Sequence, residues 1–223
     1  MSILEQVSES EATGEVAAIY GEDADSLGYV AAHTKVLALH PPAYRAWEGL
    51  IRAIAGSMDP RRYELVTLAA ALGIGSRHCR LAHGRKALPY IGEEELTAIA
   101  RDYRTAGLSA PEVAMMIFAE KMSTESASMT DADALALRAE GFTDPEIVEI
   151  ALAAAARNYL SRALQALGAD VDVPPGLSAT LTSALLDPLP KIIRGASRAD
   201  GQRPLMPQPA ILAPVRARPS GTR

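Results

Sequence analysis

Cysteine is the scarcest reactive residue in this chain, since Cys79 is the only one among 223 residues. A lone cysteine cannot form an intramolecular disulfide. The thiol of Cys79 is therefore either that of a small, inert core residue or that of a reactive site. The rest of the sequence has to decide between these two interpretations.

Aromatic residues, long apolar runs and positive charge in excess are also lacking. Aromatics make up 4% of the residues while alanine is abundant, which favours closely packed helices over sheets. The net charge of −5 argues against a nucleic-acid-binding protein. No apolar run reaches about 18 residues, so we expect no membrane span. The acidic N-terminus lacks the basic and apolar regions of a signal peptide, so we expect a cytoplasmic protein.

Helix start and stop signals divide the chain. Asp59-Pro60 joins an N-cap acceptor to a proline at the first helical position. Ser109 and Glu112 have the spacing of a capping box, and Asp144 is expected to cap the last long helix. With the apolar periodicity, these signals predict an all-α protein whose helices lie near 11–20, 42–56, 59–73, 76–88, 93–105, from 109 on, 130–141 and 144–167.

The composition changes near residue 171, where Pro, Gly, Ser and Arg become frequent. We predict an all-helical domain over 1–170 and a Pro- and Arg-rich C-terminal extension over 171–223, in which 178–186 could form a short apolar helix. The extension carries a net charge of +4, from seven Lys and Arg against three Asp. It is either a solvated tail or an irregular arm lying on an acidic neighbouring subunit. Its removal is expected to leave the helical fold intact.

Four residues around the 73–76 turn suggest chemistry. If Ser76 begins the helix over 76–88, the thiol of Cys79 lies beside unpaired backbone N–H groups and the positive end of the helix dipole, which favour thiolate over thiol. His83 follows four residues later on the same face, within reach of Cys79 directly or through a water. Glu64, on an apolar stripe of the preceding helix, should be partly buried, with a raised pKa, and should seek a partner.

Each of these residues also has a purely structural interpretation. Ser76 can be an N-cap alone, and His83 can be a core histidine bonded to a carbonyl. Glu64 can pair with Arg61 or Arg62 on its own helix, and His78 can be a surface residue. The joint spacing is what makes the chemical interpretation stronger.

That spacing resembles a known family. The pattern of Glu64, eleven residues, Ser76, two residues, Cys79, three residues and His83 resembles the E-x11-C-x2-C-x3-H core motif of the alkylhydroperoxidase AhpD-like and carboxymuconolactone decarboxylase superfamily. His78 also matches a histidine often found before the second cysteine. The resemblance covers residues 12–168. It implies an AhpD-like helical bundle and homo-oligomers, trimers or multiples of them.

The resemblance also implies roles for the site residues. Cys79 would attack a peroxide, Glu64 and His83 would relay protons, and His78 would assist. Ser76 stands where the family has its resolving cysteine, so a two-cysteine cycle is excluded. The favoured prediction is a one-Cys, thiol-dependent hydroperoxide reductase that uses an external thiol reductant. No cofactor or metal site is predicted.

Two alternatives remain open at this point. One is a lyase that acts on a small organic acid, with His83 and Glu64 as acid and base. That reaction would need basic residues that bind the substrate carboxylate, a carboxylate clamp, and only Arg77, Arg80 and Arg85 lie nearby in sequence. The other is a degenerate, oligomeric protein. Asn158 should point into the interior, where it either bonds to backbone or contributes to a pocket.

Overall fold

The computed structural model describes residues 4–188, all of them helical or irregular. This confirms the predicted all-α class. None of the helices in this part of the chain is long and apolar enough to cross a membrane. The helices of the described part are α1 Gly14–Leu27, α2 Ala32–Leu37, α3 Pro41–Ser57, α4 Pro60–Ile74, α5 Arg77–Ala87, α6 Glu93–Asp102, α7 Ala110–Glu125, α8 Asp131–Ala139, α9 Asp144–Ala166 and α10 Ala179–Leu186. A 3-10 turn, Ser126–Ser128, lies between α7 and α8.

The predicted caps account for most of these starts. The Asp59 carboxylate accepts a hydrogen bond from the Arg62 N–H at 2.9 Å, which begins α4. Both halves of the Ser109 and Glu112 capping box are present at α7. The predicted N-cap of α9 was wrong by one residue. Thr143, not Asp144, caps this helix, because Thr143 forms the capping box with Glu146.

Helix α4 lies at the centre of the core. It is buried on all sides over most of its length and packs against α5, α7 and α9. Gly73 lets α7 approach closely, because a Cβ there would lie 2.8 Å from the Glu120 carbonyl oxygen. Gly75 then adopts a positive φ of 72°, which turns the chain back so that α5 packs on α4.

The described part of the predicted extension packs on this core. Helix α10 buries Leu181 and Leu185, and Leu185 packs so closely on Gly84 of α5 that a Cβ there would lie 2.4 Å from its Cδ1. The buried Arg80 guanidinium donates to the Leu185 carbonyl at 3.0 Å and to the Ala100 carbonyl at 2.6 Å. Removal of 171–223 would therefore remove core residues, contrary to expectation. The domain boundary near 170 itself stays a prediction, and the extension from 189 on lies outside the described residues.

Candidate functional site

The turn between α4 and α5 positions Cys79. Ser76 is the N-cap of α5, and its Oγ accepts a hydrogen bond from the Cys79 N–H at 3.3 Å. Cys79 is the third residue of the helix, and only 1% of its surface is exposed. The sulfur therefore lies at the positive end of the α5 dipole, as the sequence predicted, in an environment from which water is largely excluded.

Two side chains of α9 bind the sulfur. The Ser161 hydroxyl donates to Cys79 Sγ at 3.0 Å, and Arg157 Nη1 lies 3.7 Å from the same atom. Both residues are buried. A hydroxyl donor and a guanidinium beside sulfur both stabilise a thiolate more than a thiol. Sequence reasoning missed both residues, although an arginine within the alanine-rich stretch of α9, four residues before a serine, was the available signal.

A cluster of apolar side chains also packs around Cys79. They come from four parts of the chain and leave little room for solvent around the sulfur. The packed cluster consists of Ala71, Leu160 and Leu164, with the partly buried Leu37, Trp47 and Ala169 against it. A small molecule can reach the sulfur only if one of these covering residues moves.

Glu64 and His83 form a buried pair beside this cluster. His83 Nδ1 lies 2.7 Å from Glu64 Oε2, and both side chains are almost fully buried. The alternative pairing of Glu64 with Arg61 or Arg62 is wrong, because Arg61 binds Glu95 and Glu112 while Arg62 binds Glu146.

The burial of this pair controls its protonation. Desolvation raises the pKa of Glu64 to about 7, although Lys86 and Arg157 act in the opposite direction. Desolvation, with the positive charges of Arg157 and Lys86, lowers the pKa of His83 well below its ordinary value. At neutral pH the pair therefore contains an uncharged imidazole and a carboxyl group that is protonated in part of the molecules. Such a pair can accept or donate a proton near pH 7.

Tyr63 connects the pair with the sulfur site. Its ring lies edge-on to the His83 ring, with centroids 6.2 Å apart. Desolvation alone would lower the pKa of Arg157, but its interactions with Cys79 and Tyr63 offset this, so the pKa is raised. The guanidinium therefore stays charged although it is buried.

His78 precedes Cys79 in α5 and contacts a residue that sequence reasoning did not consider. Its ring is edge-on to that of His33 in α2, with centroids 4.7 Å apart. Both rings are partly buried. Desolvation lowers the pKa of His78 and lowers that of His33 to about 3. His78 is therefore not the open surface residue that its structural interpretation implied, and both imidazoles are uncharged at neutral pH.

Other candidates lie away from the sulfur. The Asn158 amide donates to Ser123 Oγ and to the Ala154 carbonyl, so its role is to join α7 and α9. Arg80 donates to the Ala100 carbonyl within the core, and Arg85 donates to the Pro175 carbonyl. Neither therefore supplies the carboxylate clamp that the lyase hypothesis requires. No cluster of three or more His, Cys, Asp or Glu suited to a metal ion occurs within residues 4–188.

Sequence comparison finds no relative, since no protein-family profile matches the chain and no curated protein does either. Solved structures are similar in fold. An AhpD core protein from Ralstonia eutropha JMP134, described as an uncharacterized peroxidase-related protein, is 24% identical, with a TM-score of 0.68, covering 85% of this chain and 98% of that one. A peroxidase-related protein from Silicibacter sp. TM1040 is 23% identical, with a TM-score of 0.66, covering 77% and 92%.

A third solved structure of this fold carries a bound ligand. It is a cysteine-to-alanine variant of the debrominase Bmp8 in complex with 2,3,4-tribromopyrrole. It is 17% identical, with a TM-score of 0.67, and covers 84% of this chain and 100% of that one. At these identities the comparison establishes the architecture alone. The chain has an AhpD-like fold, as the motif around Cys79 indicated.

Proposed function

We propose that this protein is a thiol-dependent hydroperoxide reductase of the one-Cys type, with Cys79 as the attacking group. The observation that carries the proposal is the buried contact of the Cys79 sulfur with Arg157 and Ser161 at the start of α5. Two structures with the same fold are described as peroxidase-related, which supports the same class of chemistry.

Three groups around the sulfur interact more strongly with a thiolate than with a thiol. Arg157 supplies a positive charge, Ser161 supplies a hydroxyl donor, and the N-terminus of α5 supplies the dipole. These three contributions act on one atom from which water is largely excluded, so each is stronger than it would be at the surface. An inert core cysteine needs none of them.

The proposed reaction has one oxidative step. The Cys79 thiolate attacks the terminal oxygen of the hydroperoxide, an S–O bond forms and the O–O bond breaks. The sulfur becomes a sulfenic acid, and the alkoxide that leaves takes up one proton to become the alcohol. The Glu64 and His83 pair, which exchanges a proton near pH 7, receives the Cys79 thiol proton before attack and passes it to this alkoxide.

The reductive half requires a second molecule. Cys79 has no cysteine partner, because Ser76 occupies the position three residues before it. One external thiol displaces water from the sulfenic acid and forms a mixed disulfide with Cys79. A second thiol then attacks that disulfide, releases the Cys79 thiol and leaves as the oxidised reductant.

Turnover tests the proposal. The full-length protein should consume a hydroperoxide in the presence of a thiol reductant, and Cys79→Ser should abolish this. Ser161→Ala should retain measurable activity at a rate lowered by about tenfold, because it removes one donor to the sulfur. Consumption that persists in Cys79→Ser would contradict the proposal.

The lyase alternative has one observation in its favour. The Glu64 and His83 pair is complete without the thiol, and Arg157 is a buried cation to which a substrate carboxylate would bind. Such a reaction would transfer a proton between carbon and the pair, and the Cys79 sulfur would not react. Turnover of a small carboxylated lactone that survives Cys79→Ser but not His83→Gln would favour this function.

A further inference from the structure

Arg157 is the buried cation that faces the Cys79 sulfur. Its guanidinium contacts Sγ and stays charged, whereas the side chain of Lys86 is exposed and acts on the site only through its charge. The histidines nearby are uncharged at neutral pH, because burial lowers the pKa of His33, His78 and His83. Glu64 is only partly ionised near pH 7.

The other acids near the site are already engaged. The carboxylates of Asp23 and Asp172 accept hydrogen bonds from the backbone N–H groups of Ala31 and Ala32, outside the cluster around the sulfur. The groups that act most strongly on the buried Arg157 are Cys79 and Tyr63. Neither is a carboxylate, so the guanidinium has no paired counter-charge while Cys79 is a thiol. A buried or enclosed cation without a counter-charge is unfavourable, so the site as a whole favours a further negative charge.

Besides Nδ1 of His33 and of His78, which donates or accepts according to the tautomer, two nitrogens at the site that can only donate have no partner within the described residues. They are Arg157 Nε and Trp47 Nε1, and both atoms are buried. Arg157 is 3% exposed and already directs Nη1 at the sulfur, while Trp47 packs on the cluster that contains Cys79. Guanidinium and indole nitrogens donate and do not accept, so whatever satisfies them has to offer acceptor atoms.

We propose that the substrate of this site carries a carboxylate or a similar oxyanion, which the unpartnered Nε–H of Arg157 binds beside the Cys79 sulfur, with the Trp47 N–H as a second donor. The inference rests on the proposed function in one respect, since it takes Cys79 as the reacting group. A charged substrate also explains why the cation stays buried next to a thiol. The chemical class is then a small hydroperoxide that bears a carboxylate, and not a neutral alkyl hydroperoxide.

Charged and neutral alkylating reagents of nearly equal size test this directly. We divide the rate of Cys79 alkylation by iodoacetate by the rate with iodoacetamide. The intrinsic reactivity of the thiol affects both rates equally, so it drops out of this ratio. In the full-length protein this ratio should exceed that of free glutathione by about tenfold or more. Arg157→Gln should return it to the glutathione value, and Arg157→Lys should give an intermediate one. Arg101→Gln removes an exposed arginine of α6 and should change nothing.

Binding without reaction gives a second measurement. Trp47 is the only tryptophan, so its fluorescence reports on this site. Hexanoate should bind at least about tenfold more tightly than hexanamide, both in the parent protein and in Cys79→Ser. Equal binding of the two, or an unchanged alkylation ratio in Arg157→Gln, would overturn the inference. Hexanoate binding without peroxide reduction would leave the anion site intact and contradict only the proposed function.

Discussion

At the scale of single residues, Ser76 is the most informative departure from the AhpD-like motif. It stands where the motif that the chain resembles has a resolving cysteine, and it serves as the N-cap of α5, with its Oγ accepting from the Cys79 N–H. Because Ser and Cys differ in one atom, the fold should tolerate Ser76→Cys at a cost of about 1 kcal/mol in cap strength. The two sulfurs would then have the spacing of a redox-active Cys-x-x-Cys pair.

We expect Ser76→Cys to form a 76–79 disulfide with one equivalent of hydroperoxide. Its turnover with a dithiol such as dihydrolipoamide should exceed that of the parent, since the disulfide protects Cys79 from overoxidation. Thiol counting and intact mass provide the measurement, with Ser76→Ala as the control that loses the cap and gains no thiol. A variant that keeps both thiols free while peroxide remains unconsumed would show that the pocket does not support peroxide chemistry.

Glu64 allows a prediction about pH. Burial raises its pKa to about 7, so its ionised fraction increases as the pH rises through 7. If the Glu64 and His83 pair receives the thiol proton before attack, the rate of peroxide reduction should rise over the same range.

The comparison for this prediction is Glu64→Gln, which should lower the rate by about 10²-fold and remove the ionisation near pH 7. Infrared spectra of the parent should show a protonated carboxyl band that disappears with a midpoint near 7 and is missing in the variant. A rate profile that is identical in the two proteins would exclude Glu64 from the relay.

At the scale of elements, α2 is the segment best placed to admit substrate. It has six residues and no side-chain N-cap of its own. Asp172 accepts from the Ala32 N–H at 2.7 Å, and Asp23 accepts from the Ala31 N–H at 3.0 Å. The helix covers the site with Leu37, which packs on the Cys79 cluster. One carboxylate from the preceding helix α1 and one from a distant part of the chain therefore hold this helix in place.

We expect Asp172→Asn to loosen α2 and to increase the iodoacetamide reactivity of Cys79 by about fivefold, because a charge-assisted hydrogen bond is weakened. Asp25→Asn, on the exposed face of α1, is the matched control. Faster labelling with an almost unchanged melting temperature would support local opening. Equal labelling rates in the two variants would show that substrate enters elsewhere.

The same helix shows where sequence reasoning succeeds and where it stops. Helices such as α4 and α7 carry their start signals locally, in Asp59 and in the capping box of Ser109. Helix α2 has no such signal, because the groups that cap it lie at Asp23 and Asp172, up to 140 residues away. Its existence, and hence the position of His33, could not be predicted from local pattern.

Some residues of the candidate site could likewise be predicted from local sequence, and others could not. Glu64 and His83 belong to a spacing motif, and the structure brings them together as a bonded pair. Arg157 and Ser161 are 78 and 82 residues from Cys79, and only the packing of α9 on α4 and α5 places them at the sulfur. The sequence therefore predicted the Glu64 and His83 pair, whereas the groups that bind the sulfur required the three-dimensional structure.

At the scale of the whole molecule, α9 presents an apolar stripe to solvent. Val148, Leu152 and Tyr159 share one helical face and are each about half exposed. Exposed stripes of this kind are often covered by another subunit. We therefore propose that the protein is a homo-oligomer, a trimer or a multiple of it, as the family resemblance implied.

Light scattering at micromolar concentration should give a mass well above the 23.6 kDa of one chain. Leu152→Glu should shift the mass toward one chain by placing a charge in the stripe, whereas Leu135→Glu, at an exposed site on α8, should not. A parent protein that scatters as a single chain would rule out this assembly.

The central claim is that Cys79 is the group that peroxide oxidises, and a mass spectrum after brief peroxide exposure tests it most directly. With dimedone present, the full-length protein should gain one adduct per chain, located on the peptide that contains Cys79. Without dimedone or a reductant, the same peptide should gain one oxygen and then two, as sulfenic acid proceeds to sulfinic acid. An unmodified Cys79 peptide under these conditions would contradict the account, because the thiol would then be a core residue and not a nucleophile.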